Sequence, residues 1–216
     1  MGMGHPTGAM LRSYAAGSAS EGISLLVAAH LTYCAECRRQ VAALERLSGA
    51  LFEVPAPTNA VDDLLDKTLA RIDTAPPTPT LPVRDSAADA AADLPRPVLD
   101  VVGAPLSALR WRFRMPGVAE LPVALGSGER VSLIRVRPGY AVPAHTHTAT
   151  EATLVLKGTL CDEDRAFGVG EVAVATANHH HHPRAGEGED CICLTVLDGG
   201  LRFTGTFGRA LNLFAE

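Results

Sequence analysis

Two stretches of this chain carry residues suited to metal chemistry. The first is HLTYCAEC, residues 30–37, in which His30, Cys34 and Cys37 are spaced by four and three positions. On a helix that spacing stacks the three side chains on one face. An imidazole and two thiolates supply three of the four ligands of a tetrahedral structural zinc. His5 is the other histidine of this part of the chain and the candidate fourth ligand, reached if the glycine-rich start folds back. A buried helix face, with cysteine as a small hydrophobe and His30 on a polar partner, is the plainer alternative. The second stretch is PAHTHTATE, residues 143–151. Strand alternation turns His145 and His147 to one side, and Glu151 follows across a short turn onto the same point. Two imidazoles and a carboxylate bind zinc, iron, manganese or nickel, and ligand type alone does not choose among them.

The elements that must position these residues differ along the chain. Up to about residue 73 the texture is helical. Ser18 and Glu21 have capping-box spacing, and Ile23, Leu26, Val27, His30, Leu31 and Cys34 keep a helical rhythm that Val41, Leu44, Leu47 and Leu51 continue. A further short helix is expected over 60–72, with Val61, Leu64, Leu65, Leu69 and Ile72 on one side. Such short helices make a small core that a structural metal would help to hold. Residues 76–97 are rich in Pro, Ala and Asp and read as a linker. From 98 to 216 short β-type runs such as ERVSLIRV, ATLVLK, EVAVAT, DCICLTVLD and LRFTGTFG alternate with turn residues. The expected fold is therefore α + β in two domains: an all-α module over 1–75, then an antiparallel barrel or jelly roll over 98–216.

Composition bounds the function. The 216 residues are 47% hydrophobic and 20% charged, with a net charge of −5 and no basic stripe, which argues against direct nucleic-acid binding. No run of about 18 apolar residues spans a membrane, and the N-terminus lacks the basic-then-apolar pattern of a secretory signal, so a cytoplasmic location is expected. In that reducing compartment the five cysteines suit metal or redox roles better than a disulfide scaffold.

The position of His5 relative to His30, Cys34 and Cys37, within LRSYAAGSASEGISLLVAAHLTYCAECR, resembles the zinc-binding anti-sigma factor family, most closely its ChrR type. The resemblance implies a zinc-pinned helical module that grips an extracytoplasmic-function sigma factor. Downstream, Gly139, His145, His147, Glu151 and Gly158 match the first motif of the cupin family at each fixed position. That resemblance implies a β-barrel with a metal in its mouth and a fourth ligand from a second motif. The second motif is degenerate here, and alternation separates His179 and His181 from His180 and His182 without choosing among them. Comparison with ChrR-type sequences, anchored on DCICL, selects His181. The other three histidines then read as a solvated polar loop with adventitious metal affinity. One zinc per domain is implied, although the barrel could hold another divalent transition metal, and cupins often pair as homodimers.

Cys191 and Cys193 share one strand face and are either core residues or a strained redox pair. Trp111 is expected to anchor the opening strand of the barrel, and Cys161 is assigned no role. The leading function is an anti-sigma factor whose cupin domain senses singlet oxygen or organic peroxide, the signals to which ChrR-type relatives respond. The alternatives are a metal-dependent cupin oxygenase or isomerase with a helical appendage, and a zinc-stabilised adaptor for some other protein. An enzyme would leave the His30–Cys34–Cys37 cluster unexplained.

Overall fold

The computed structural model describes residues 4–56, 58–76, 93–126, 128–163, 165–177 and 179–204, with the backbone alone described for 201–203. Helix α1 (Gly8–Ala15) is capped by the Thr7 hydroxyl, which accepts the Met10 N–H. Helix α2 (Glu21–Tyr33) begins at Ser20, not at Ser18. Both the N–H and the hydroxyl of Ser18 are directed at the Ser13 carbonyl and finish α1, so Ser20 caps α2 through the Ile23 N–H. Helix α3 (Ala35–Leu51) is distinct from α2. The single helix expected through 30–37 breaks at Cys34, whose backbone is extended at φ −105° and ψ 104°. Cys34 ends one helix and caps the next, its sulfur accepting the Cys37 N–H at 3.4 Å. The three ligand candidates therefore meet at a helix–helix corner and not along one helical face.

Helix α4 (Leu64–Thr74) falls on the expected stretch, but its apolar side faces solvent: Leu65 is 69% and Ile72 64% exposed. Of the expected linker, residues 77–92 lie outside the described part, and its last two residues begin helix α5 (Arg96–Val102). Pro97 fits the first turn of α5, where its missing N–H costs nothing. Val98 and Leu99 of α5 are buried in a cluster with Leu25, Leu26 and Ala29 of α2.

Eleven short strands follow among the described residues: β1 (Arg112–Met115), β2 (Val118–Val123), β3 (Arg130–Val136), β4 (His145–His147), β5 (Glu151–Lys157), β6 (Leu160–Asp162), β7 (Arg165–Phe167), β8 (Val172–Ala175), β9 (Arg184–Ala185), β10 (Cys191–Leu197) and β11 (Leu201–Phe203). Six form an antiparallel sheet in the order β1-β2-β3-β10-β5-β8. The pair β11-β4 and the three strands β7-β6-β9 form two smaller sheets, linked by isolated bridges at Ala141–Arg184 and His145–His181. The result is the antiparallel jelly-roll sandwich expected for the second half.

The large sheet is apolar on both faces. Inward, Val136, Val155, Cys191 and Cys193 pack with Val118, Leu160 and Phe167. Outward, Val131, Leu133, Leu154, Ile192, Leu194 and Val196 pack with α2 and α5. This explains why CICLTVL is buried at nearly every position rather than at alternate ones. Gly22 lets α2 approach closely, since a Cβ there would lie 2.8 Å from Val131 and 2.9 Å from Val196. Glu129 then fixes the helix start by accepting the Ser20 hydroxyl at 2.5 Å and the Gly22 N–H at 3.1 Å. Trp111 packs at the edge of the outer cluster, with the Arg135 guanidinium 5.0 Å above its ring. Leu26, fully buried between α2 and the sheet, tests this shared core. Leu26→Ala should lower unfolding free energy by about 2–5 kcal/mol in denaturant titrations of the full chain.

Candidate metal centres

The first centre lies where the N-terminus, α2 and α3 meet. The Nδ1 atom of His5 is 3.5 Å from Cys34 Sγ and 3.4 Å from Cys37 Sγ, and the His5 and His30 rings stand edge-on at 5.7 Å. One ligand atom from each of His5, His30, Cys34 and Cys37 lies within 4.8 Å of the others. The His30 Nδ1 is 2.7 Å from the Gly170 carbonyl oxygen. A carbonyl only accepts, so the proton sits on Nδ1 and Nε2 presents a lone pair. That Nε2 is buried and has no hydrogen-bond partner, which a divalent cation would satisfy. Burial lowers the His30 pKa, outweighing the Gly170 bond, and so favours the neutral, ligating imidazole. Burial, with help from Cys34, pushes the Cys37 thiol up to about 12, so ligation must displace a proton. Two thiolates and two imidazoles fit a closed tetrahedral zinc site.

His5 is held in place by the barrel. The Gly4 N–H donates to Glu171 at 2.8 Å, and the Val172 N–H donates to the Gly4 carbonyl at 2.9 Å, so the residue before His5 is strapped to β8. Residues 168–172 of the barrel thus orient two of the four candidate ligands. Gly170 and Glu171 are not legible in the sequence: the first acts through a backbone carbonyl, which has no residue-type signature, and the carboxylate of the second accepts a backbone N–H 167 residues away.

The second centre lies inside the sandwich. The Nε2 atoms of His147 and His145 are 2.8 and 2.9 Å from that of His181. A Glu151 oxygen lies 2.9 Å from His147 Nε2, 3.7 Å from His181 Nε2 and 3.8 Å from His145 Nε2. The backbone selects His181 from the run of four: it bridges His145, each N–H donating to the other's carbonyl at 3.1 and 3.2 Å. Paired residues of adjacent strands present their side chains on one face. The His145 Nδ1–H donates to the Pro143 carbonyl at 2.7 Å, and the His181 Nδ1–H to Asp162 at 2.8 Å. These bonds hold one proton on each Nδ1, so both Nε2 atoms face one point and can offer lone pairs to a cation once the second proton of His181 has left. Although burial opposes charge on both groups, bonds from the three histidines hold Glu151 well below the usual carboxylate range. Asp162 and Glu151 likewise outweigh burial at His181 and raise its pKa to about 9.

This centre opens on a cavity of about 450 Å³ with apolar walls that include Val118, Ile134, Val136 and Phe167. Cys193 also lines it, and Cys191 Sγ is 3.6 Å away. Both are free and buried; the neighbouring Cys191 thiol first, then burial, raises the Cys193 pKa well above its ordinary value. Fold and site together define a helical module with a His/Cys cluster, docked on a cupin-type sandwich with a His₃Glu cluster.

The chain is 38% identical over 210 residues, 97% of its length and 96% of the relative's, to the anti-sigma-E factor ChrR of Cereibacter sphaeroides. The ChrR cupin-like domain family matches residues 101–199. The crystal structure of Rhodobacter sphaeroides SigE in complex with the anti-sigma ChrR superposes with a TM-score of 0.76 at 36% identity, covering 90% of this chain and 98% of that one. The chain belongs to the ChrR family of anti-sigma factors.

The proton on His181 gives the second centre a pH signature. Metal binding there should release protons at neutral pH, and apparent affinity should fall about tenfold per pH unit below about 9. Calorimetric zinc titrations in buffers of different ionisation enthalpy measure both, with His181→Ala removing the effect.

Proposed function

We propose that this chain binds an extracytoplasmic-function sigma factor and holds it inactive, and that its cupin domain releases the sigma factor on an oxidative signal. The observation that carries the first part is near full-length similarity to a protein named as an anti-sigma-E factor and to one crystallised with SigE. That relative is a regulator, so the metal-dependent enzyme suggested by the barrel motif alone is set aside. The exposed apolar residues of α4 and its approach, Val61, Leu64, Leu65, Leu69 and Ile72, supply a surface that a protein partner would cover. No helix among the described residues is long and apolar enough to cross a membrane.

In this reading residues 1–75 form the sigma-binding module, 76–97 the linker and 98–216 the sensor. His5, His30, Cys34 and Cys37 hold one structural zinc; His145, His147, Glu151 and His181 hold a second zinc or another divalent transition metal. The chain works in the cytoplasm, where sigma factors act, makes no direct nucleic-acid contact, and has a barrel able to support a homodimer. The signal is singlet oxygen or an organic peroxide, acting at the barrel metal or at the Cys191–Cys193 pair.

The route from sensor to clasp is short. The Gly170 N–H donates to Val155 on β5, the strand that Glu151 opens, while the Gly170 carbonyl holds His30. A ligand change that shifted β5 would reach the first centre through that turn. Gly170 has φ +86°, and a Cβ there would lie 2.7 Å from Tyr33 Cβ, so Gly170→Ala displaces the carbonyl without touching a ligand. Zinc affinity at the first centre should fall about 10–100-fold, read by chelator competition.

Co-expression with the sigma factor tests the whole reading. Wild type should co-purify with it and repress its transcription in vitro, and Leu65→Asp with Leu69→Asp should abolish both with helical circular dichroism retained. His147→Ala should keep the complex yet fail to release it under photosensitised singlet oxygen. A full chain that forms no complex sinks the proposal.

A further inference from the structure

The four-histidine run is only partly used by the two centres. His181 faces the barrel metal position, and His180 Nε2 lies 2.6 Å from the Thr204 hydroxyl. His179 turns elsewhere: its ring meets that of His181 edge-on at 5.2 Å, and ligand atoms of His179, His181 and Asp162 lie within 4.8 Å of one another. Two polar atoms in this group are shielded from solvent and lack a hydrogen-bond partner, Asp162 Oδ1 and His179 Nε2. The second oxygen of Asp162 is occupied by the His181 N–H. Glu163 Oε1 approaches His179 Nε2 to 3.8 Å, and Glu163 adopts a left-handed backbone with φ +48°, unusual for a residue that is neither glycine nor asparagine. Asp162, Glu163 and His179 all line the cavity, and the Glu163 side chain is 61% exposed, so an ion can enter from solvent.

We propose that Asp162, Glu163 and His179 form a second divalent-metal site on the rim of the barrel, separate from the His₃Glu centre. One imidazole and two carboxylates suit zinc, manganese, cobalt or nickel, with water completing the shell. Fewer protein ligands and more solvent make it weaker than either four-ligand centre. The rim ion would engage Asp162 Oδ1 while Oδ2 keeps the His181 N–H. A cation drawing on Asp162 competes for the carboxylate that fixes His181, so rim occupancy loosens the inner ligand set. The rim site itself does not require the inner metal; only this coupling rests on the proposed sensor metal.

Zinc titration of the full-length protein, followed by native mass spectrometry and competition with a chromophoric chelator, tests the site. Wild type should bind a third zinc more weakly than the first two. His179→Ala and Glu163→Gln should each weaken that third zinc about tenfold or more while two tight equivalents remain. His180→Ala with His182→Ala should leave it unchanged. Survival of every bound zinc in His179→Ala, or loss of one in the His180/His182 variant as an adventitious ion only, would each overturn the rim site, as would a wild type that binds two zincs of which His147→Ala removes one. If the inner centre is the failed reading, wild type binds two zincs, His147→Ala removes none, and His179→Ala still removes one.

Discussion

The large sheet must be covered on both sides. Its central strands carry apolar residues inward and outward alike, Val155 against Leu154 on β5 and Cys193 against Leu194 on β10. The small sheets cover only the inner face. The outer face needs another apolar surface, and α2 and α5 provide it with Leu25, Leu26, Val98 and Leu99. Burial of that many aliphatic side chains is the strongest stabilising force available to the chain. It also sets where α2 lies, and therefore where His30 lands.

With α2 seated, His30 reaches the turn between β7 and β8 and its proton is fixed by the Gly170 carbonyl. The same turn receives Gly4 as an added backbone partner and so brings in His5. The first centre is thus a joint product of the helices and the barrel. The two centres share a device and differ in access. In each, an outer acceptor holds a histidine proton on Nδ1 so that Nε2 points inward. The first has sulfur donors and, apart from His5, buried ligands, which suits a structural ion. The second has nitrogen and carboxylate donors beside a sizeable cavity, which suits an ion that meets small molecules.

Much of this was legible in the residues. The downstream strands read from their β-type runs appear as β3, β5, β8, β10 and β11, and the candidate ligands of each set lie together, although His30, Cys34 and Cys37 do so at a helix corner and not on one helical face. The misreadings have local causes. Cys34 has no helix-breaking neighbour, yet its sulfur competes for the Cys37 N–H and caps a new helix. Ser18 and Ser20 are equally good caps by type, and only the Ser13 carbonyl takes Ser18 out of contention. The helix α5 was hidden by the proline-rich composition around it, although Pro97 sits where a helix tolerates it. β1 falls beside Trp111, where the opening strand was expected, whereas β2, with Pro122 in it, lacked a clear alternating pattern.

By itself the sequence determined which residues could ligate, because imidazole, thiol and carboxylate chemistry is carried by residue type and period-two spacing holds wherever a strand forms. It also determined that two modules of different texture exist. The tertiary structure alone decided that His5 is near its partners, that His181 is the histidine facing the others, and that His30 leans on the barrel. Those outcomes rest on backbone groups, the carbonyls of Gly4, Gly170 and His145, which are identical in every residue and acquire meaning only from what folding places beside them.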